Sequence, residues 1–509
     1  MKDGFINAIN EGYQKFEGPS ILAGAGMIEG EAQPEAEVRI PLKTLNRHGL
    51  IAGATGTGKT VSLQVLAEQF SLQGIPVVLM DMKGDLSGLA APGTSNKHIV
   101  KRHSFLPEEY APKGFPLELL SLSGQKGTQL RATATEFGPV LMSKILGLND
   151  TQQSILSVVF KYCDDHDLPL IDLSDLKKTL QFAINEGKED LAREYGRLHT
   201  SSVNTILRKI LELEQQGAEK FFGELSFDVQ DLLRKDSDGL GTISVIRLND
   251  IQDKPKLFST FVLSLLAEIY ETFPEIGDQD RPKLVLFIDE AHLFFKEASQ
   301  ALRDQIESII KLIRSKGVGI FFCTQNPDDI PEEVLGQLGL KIQHALRAFT
   351  AKDRKAIKRA SENFPVSNFY KTDELLTQLG IGEALVTALN EKGIPTPLVA
   401  TLMRPPKSRM GILSDLELNG VISMSELKPK YDRVIDRQSA FEILNQKLNR
   451  AKESGPQTIQ RQPGRAKSET NTGIEILDEL SKNTMVRQMG RTIGRELVRG
   501  LFGVLGMKR

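Results

Sequence analysis

Cysteine is nearly missing from this chain: Cys163 and Cys323 are the only two in 509 residues, and tryptophan is absent. Two thiols exclude a disulfide framework and a cysteine-based zinc cluster, and they suit a reducing compartment. Also missing is any uncharged apolar run of roughly eighteen residues, the length needed to span a bilayer. Met1 to Phe16 scatters Lys2, Asp3, Glu11 and Lys15 among Phe5, Ile6, Ile9, Tyr13 and Phe16, so it lacks the apolar core of a signal peptide. That spacing predicts a short amphipathic helix, and the expected location is cytoplasmic. No charge surplus exists either, since 64 Lys and Arg against 66 Asp and Glu give a net charge of -2. Global basicity therefore makes no case for nucleic acid, and such a partner needs a local basic surface. What remains, 40% hydrophobic and 26% charged, is ordinary for a soluble globular protein long enough for about two to four domains.

Against that plain background one stretch stands out. Gly53-Ala54-Thr55-Gly56-Thr57-Gly58-Lys59-Thr60 fits the phosphate-loop pattern G-x-x-x-x-G-K-[ST] residue for residue. Its flanks agree: Gly49 to Ala52 reads as a short buried strand, and Val61 to Phe70 carries apolar residues at helical spacing. Glycines let the loop curl its N–H groups inward, and the helix start adds partial positive charge. Lys59 is expected to reach the terminal phosphates of a nucleotide, and the Thr60 hydroxyl to ligate Mg2+.

Taken in order, residues 1–45 hold the N-terminal helix and an edge hairpin built from Ile21 to Ala23 and Glu37 to Ile40. A core is predicted from residues 46–124 and 235–404. Within it, Ile75 to Met80 is a buried strand closing on Asp81-Met82-Lys83-Gly84-Asp85, where Asp81, Lys83 and Asp85 are secondary site candidates at a strand's C-terminal end. Residues 125–234 change to helical periodicity (Leu130 to Leu146, Gln152 to Cys163, Leu173 to Ile184, Ser201 to Gln216) and read as a helical insertion. Asn149-Asp150 and Ser201-Ser202 are predicted N-caps, and Leu207, Ile210, Leu211 and Leu213 a packing stripe. Tyr162-Cys163-Asp164-Asp165-His166 resembles a metal motif only superficially, because no second ligand cluster follows.

The α/β rhythm returns with strands at Thr242 to Leu248, Leu284 to Ile288, Val318 to Cys323 and Lys341 to Phe349, separated by helices. Strands alternating with helices after a phosphate loop predict a mostly parallel sheet with covered faces. Residues 405–472 read as an extension ending in a flexible linker, and 473–509 as a basic amphipathic tail with Arg487, Arg491, Arg495 and Arg499 at every fourth position. Such a tail suits a membrane surface, nucleic acid or a protein contact.

The strand Leu284 to Ile288 runs into Asp289-Glu290, the second half expected of an ATP-hydrolysing site. Asp289 is placed to hold the metal through water, and Glu290 to polarise an attacking water, which favours hydrolysis over transfer to a small substrate. Gln325, ending the next strand, can sense the terminal phosphate or orient water. Arg314 and Arg347 are both candidate arginine fingers, while a cation at a helix C-terminus is the plainer account of Arg314.

Together these segments resemble the bacterial HerA-like ATPase family of the HerA/FtsK superfamily. The resemblance is carried by Asn46-Arg47-His48-Gly49 with the phosphate loop, Asp81 to Leu86, Asp289-Glu290-Ala291-His292, Ile313 to Gly319, Gln325-Asn326-Pro327, Gly336 to Gly339, His344 to Phe349 and Ser408 to Gly411. It implies a RecA-like (ASCE) core, ATP and Mg2+ as cofactors, and a hexameric homo-oligomer with sites at subunit interfaces. It further implies DNA as a partner and Arg314 reaching into a neighbour's site. Two departures are expected: only Met1 to Ala52 precede the loop, leaving no room for an N-terminal β-barrel, and the helical insertion is extra. The leading expectation is an oligomeric ATPase that threads or remodels DNA, with a surface at Lys352, Arg354, Lys355, Lys358 and Arg359. Its rival is an ATP-dependent scaffold or switch acting on protein or at a membrane surface.

Overall fold

The computed structural model describes residues 1–277, 279–296, 300–433, 435 and 437–453. The predicted linker over Gly455 to Thr472 and the basic tail lie outside the described residues. Strands β1 (Ser20–Ile28), β2 (Glu31–Pro41), β3 (Gly49–Ala52), β4 (Val77–Asp81), β5 (Leu117–Ser121), β6 (Thr128–Gln129), β7 (Ile243–Arg247), β8 (Leu284–Ile288), β9 (Val318–Thr324), β10 (Leu340–His344), β11 (Glu383–Thr387) and β12 (Val399–Met403) make one 12-stranded sheet. Its order is β2-β1-β12-β11-β10-β3-β9-β8-β4-β7-β5-β6. The span from β10 to β6 is parallel, and the β10-β11-β12-β1-β2 edge is antiparallel.

Composition explains the division. Val77–Asp81 and Leu284–Ile288 are buried at every position, as strands covered on both faces must be. The helix Lys59–Leu72 lies over them and sends Leu63, Leu66 and Phe70 into the core. There the ring of Phe70 sits 6.2 Å from Phe287 and 5.7 Å from Phe321, which lie 5.0 Å from each other. The phosphate-loop helix is thus fastened to β8 and β9, the strands that carry the acidic pair and Gln325.

At the antiparallel edge the hairpin strands are longer than the short predicted runs, because β1 also pairs with β12 and gains a ladder on both sides. Helix Lys2–Tyr13 buries Phe5, Ile9 and Tyr13, the stripe its spacing predicted. Beyond β12 the chain docks rather than trails off. Glu68, on the phosphate-loop helix, accepts the backbone N–H groups of Lys407 (2.7 Å) and Ser408 (2.9 Å) and the Ser408 hydroxyl (2.5 Å).

Compactness divides the chain into two units: Met1–Arg131, Gln216–Phe221 and the described residues of Leu225–Val434, and then Ala132–Gln215, Phe222–Glu224 and the described residues after 434. The whole sheet belongs to the first. The second is helical, with Ala134–Leu146, Asp150–Asp165, Leu173–Ile184, Lys188–Glu194, Thr200–Gln215 and Ala440–Glu453. Asn149 caps its helix as expected, through a capping box with Gln152. Ser201 and Ser202 do not cap: the helix starts at Thr200, and the Ser202 N–H already bonds to His199 O (3.0 Å). Val203, Ile206, Ile210 and Leu213 are its buried stripe, whereas Leu211 is exposed, because spacings of three and four keep the first set on one face. The first predicted helix of this region begins at Ala134 rather than Leu130, since Thr133 forms a capping box with Glu136, and it kinks at Gly138-Pro139.

Candidate active site

Four neighbouring strand ends, those of β3, β9, β8 and β4, build the site. The loop follows β3, and its frame is held by Gly53 N–H to Thr324 O (3.3 Å) and Ala54 N–H to Ala345 O (2.9 Å). Gly53 and Gly58 have φ of 152° and 114°, and a Cβ on Gly53 would stand 2.5 Å from His344 Cβ. Only glycine meets both demands. Lys59 bends back over the loop, donating from Nζ to Gly53 O (2.6 Å) and Ala54 O (3.2 Å). Burial, then the nearby Lys83, lowers the Lys59 pKa, and Glu290 and Asp289 partly offset this.

Under the loop lies His344, a residue the site prediction did not single out. Its Nδ1 donates to Glu383 O (3.0 Å) and its Nε2 accepts from the Ser62 hydroxyl (2.9 Å), so the ring is satisfied when neutral. Burial pulls its pKa down to about 4 despite the Glu383 bond.

Sheet order puts β9 between β3 and β8, so the loop and the acidic pair flank Thr324-Gln325. This insertion of one strand between phosphate loop and acidic strand is the ASCE arrangement. Asp289 and Glu290 are both 6% exposed. Burial raises the Asp289 carboxyl to about 7, with Lys83 opposing and Glu290 reinforcing the rise. Glu290 has a left-handed φ of 47°, uncommon outside glycine and asparagine. One of its oxygens, Oε1, pairs with Lys83 Nζ at 2.6 Å. The other, Oε2, lies 3.2 Å from His292 Nδ1 but off any hydrogen-bonding direction, so it is buried without a hydrogen bond.

The strand β4 contributes Asp81, whose carboxylate accepts the N–H groups of Gly84 (2.7 Å), Asp85 (3.3 Å) and Leu86 (3.2 Å). That folds residues 82–86 into a turn presenting Lys83 to Glu290. Burial alone would lower the Lys83 pKa, but Glu290, Asp289 and Asp85 together outweigh it and hold the ammonium above the ordinary lysine range.

The structure therefore brings together Gly53–Thr60, Asp289, Glu290 and Gln325, along with Lys83, Asp81 and Asp85. Gln325 is exposed at the end of β9. Arg347 is exposed just beyond β10, at the loop end of the sheet, and donates to Thr377 O at 3.4 Å. Arg314 is elsewhere. It precedes β9, and its charge acts on His48, which precedes β3. The full length of these parallel strands separates it from the loop of its own chain.

Mg2+ suits the donors present. Asp289 and Thr60 offer hard oxygen ligands, and the buried Glu290 Oε2 and Asp85 Oδ1 lack hydrogen-bond partners. No group of three or more His, Cys, Asp or Glu side chains among the described residues is poised to hold a metal alone, so phosphate oxygens and water must complete its shell.

The family model for the helicase HerA-like C-terminal domain matches residues 27–509. A "Probable helicase" of Methanocaldococcus jannaschii is 25% identical over 398 residues, covering 74% of this chain and 69% of that one. The DNA double-strand break repair helicase HerA of Sulfolobus acidocaldarius is 23% identical over 382 residues, covering 71% and 66%. The chain thus spans about two thirds of these relatives' length. Among solved structures, the bacterial conjugative coupling protein TrwBdeltaN70 superposes with a TM-score of 0.50 at 16% identity, covering 80% of this chain and 94% of that one. That likeness bears on the fold alone.

Proposed function

The chain belongs to the helicase HerA-like C-terminal family and is a P-loop ATPase, and from that premise we propose that it hydrolyses ATP at subunit interfaces of an oligomeric ring, coupled to moving or remodelling DNA. The placement of Arg314 is the observation that carries this reading. A guanidinium at the opposite strand ends from its own loop serves hydrolysis best in the site of an adjacent copy. Gly53–Thr60 cradles the phosphates and Lys59 turns from the loop carbonyls to the terminal phosphate. Asp289 and Thr60 would hold Mg2+, which would supply positive charge against the phosphoryl oxygens. Glu290 polarises the attacking water and Gln325 orients it.

DNA is the partner favoured by the helix Ala351–Glu362, whose Lys352, Arg354, Lys355 and Lys358 are exposed along one element. It supplies a local basic surface of the kind that a nucleic-acid partner needs on a chain of net charge -2. No helix among the described residues is long and apolar enough to cross a membrane. The test is the mass and ATPase rate of the purified protein with and without ATP and DNA. The proposal expects a multimer of ring size and a DNA-stimulated rate that falls with salt. A monomer under all conditions, or a rate indifferent to every form of DNA, would sink it and leave the protein- or membrane-directed switch as the better reading.

A further inference from the structure

Lys83, in the Asp81–Leu86 turn, forms an ion pair with Glu290, and we propose that it is a positioning residue for Glu290, fixing the carboxylate in the orientation from which it polarises water. Three observations converge on it. Strands β4 and β8 are neighbours with Met80 opposite Ile288, so residues just past the two ends face each other across one strand spacing. The Asp81 carboxylate fastens three successive N–H groups of the turn. The turn is held again where Gln252 Nε2 donates to Met82 O. Lys83 is thus not a freely swinging surface lysine: its backbone is tied on both sides, and its Nζ meets Glu290 Oε1 at 2.6 Å.

Glu290 needs such a partner. Its side chain is 8% exposed, its backbone is in the left-handed region, and its neighbour Asp289 is a second buried carboxyl. Two like charges in a dry pocket repel, and a strained backbone relaxes unless its surroundings hold it. One cation on Oε1 counters both tendencies and leaves Oε2 as the oxygen without a hydrogen bond, with His292 Nδ1 3.2 Å from it. Lys83 Nζ is held on Glu290 and not on the phosphate loop, so its loss is expected to act on turnover before nucleotide affinity.

The role of Lys83 depends on Glu290 being the water-polarising group, as proposed above, and the experiment keeps the two apart. ATPase kinetics are measured on the full chain for Lys83→Ala, Lys83→Arg, Glu290→Gln and the Lys83→Ala/Glu290→Gln double variant, with binding of a non-hydrolysable ATP analogue in parallel. Lys83→Ala is expected to lower kcat about tenfold or more while KM and analogue affinity stay within about twofold, and Lys83→Arg to recover most of the loss. In the Glu290→Gln background the Lys83 substitution should cost nothing further, a non-additivity that a purely structural lysine would not produce. If Lys83→Ala fails to fold, Lys83→Met, close to it in volume, is read in its place. Unchanged or raised kcat with Glu290→Gln inactive overturns the role of Lys83 alone. Full turnover in Glu290→Gln overturns the assignment of Glu290, and that of Lys83 with it.

Discussion

At the scale of single residues, burial leads the causes that shift Lys59, Asp81, Asp85 and Asp289 in the site. Two buried histidines, His344 beneath the loop and His48 at the far strand ends, show how burial reaches stability. His48 donates from Nε2 to Ile310 O (2.8 Å) and accepts the Ile320 N–H on Nδ1 (3.1 Å), while His344 bridges Ser62 and Glu383. Burial lowers each to about 4. A histidine depressed in the folded state contributes its full stability above the unfolded value near 6.5 and loses it as pH falls toward 4, because only the unfolded chain takes up the proton. Urea titrations at pH 7.5 and 5 should therefore differ by about 2 kcal/mol for each histidine, and His344→Gln should shrink the difference. Gly53→Ala should be more severe, since the new methyl meets His344 at a φ alanine avoids. Loss of analogue binding together with a lower Tm is the expected readout.

At the scale of elements, what was legible in the sequence is what short-range pattern encodes. The loop, its flanking strand and helix, and the run Leu284 to Asp289-Glu290 all declare themselves within a dozen or so residues. The pairing of Lys83 with Glu290 does not, because it follows from β4 lying beside β8, and strand order is not written locally. The same holds for His344 beneath Gly53 and for Glu68 capturing Lys407 and Ser408 across 339 and 340 positions. The cap at Ser201-Ser202 failed for a smaller reason: several consecutive polar residues could start that helix, and the chain starts it at Thr200. Packing between elements predicts its own tests. Phe321→Ala removes the ring joining Phe70 to Phe287 and should cost about 3–5 kcal/mol in chemical denaturation. Glu68→Ala unpairs the buried contacts to residues 407 and 408, and should raise protease sensitivity around Lys407 at a cost of about 1–3 kcal/mol.

At the scale of the whole molecule, one chain holds a nucleotide cradle at one end of its strands and Arg314 at the other. The head-to-tail assembly proposed above would use that polarity, each copy completing the site of the next. Mixing Arg314→Ala chains with Glu290→Gln chains should restore part of the activity that neither retains alone, because mixed interfaces pair an intact Glu290 with an intact Arg314. No recovery would count against action between copies.

Hydrolysis itself, on which all of this depends, is tested most directly by measuring nucleotide binding and turnover on the same Glu290→Gln preparation. Retained ATP affinity with turnover reduced about a hundredfold or more is the predicted result. Turnover near that of the unaltered chain would contradict the assignment of Glu290, and with it the account of how Lys83, Asp289 and the phosphate loop work together.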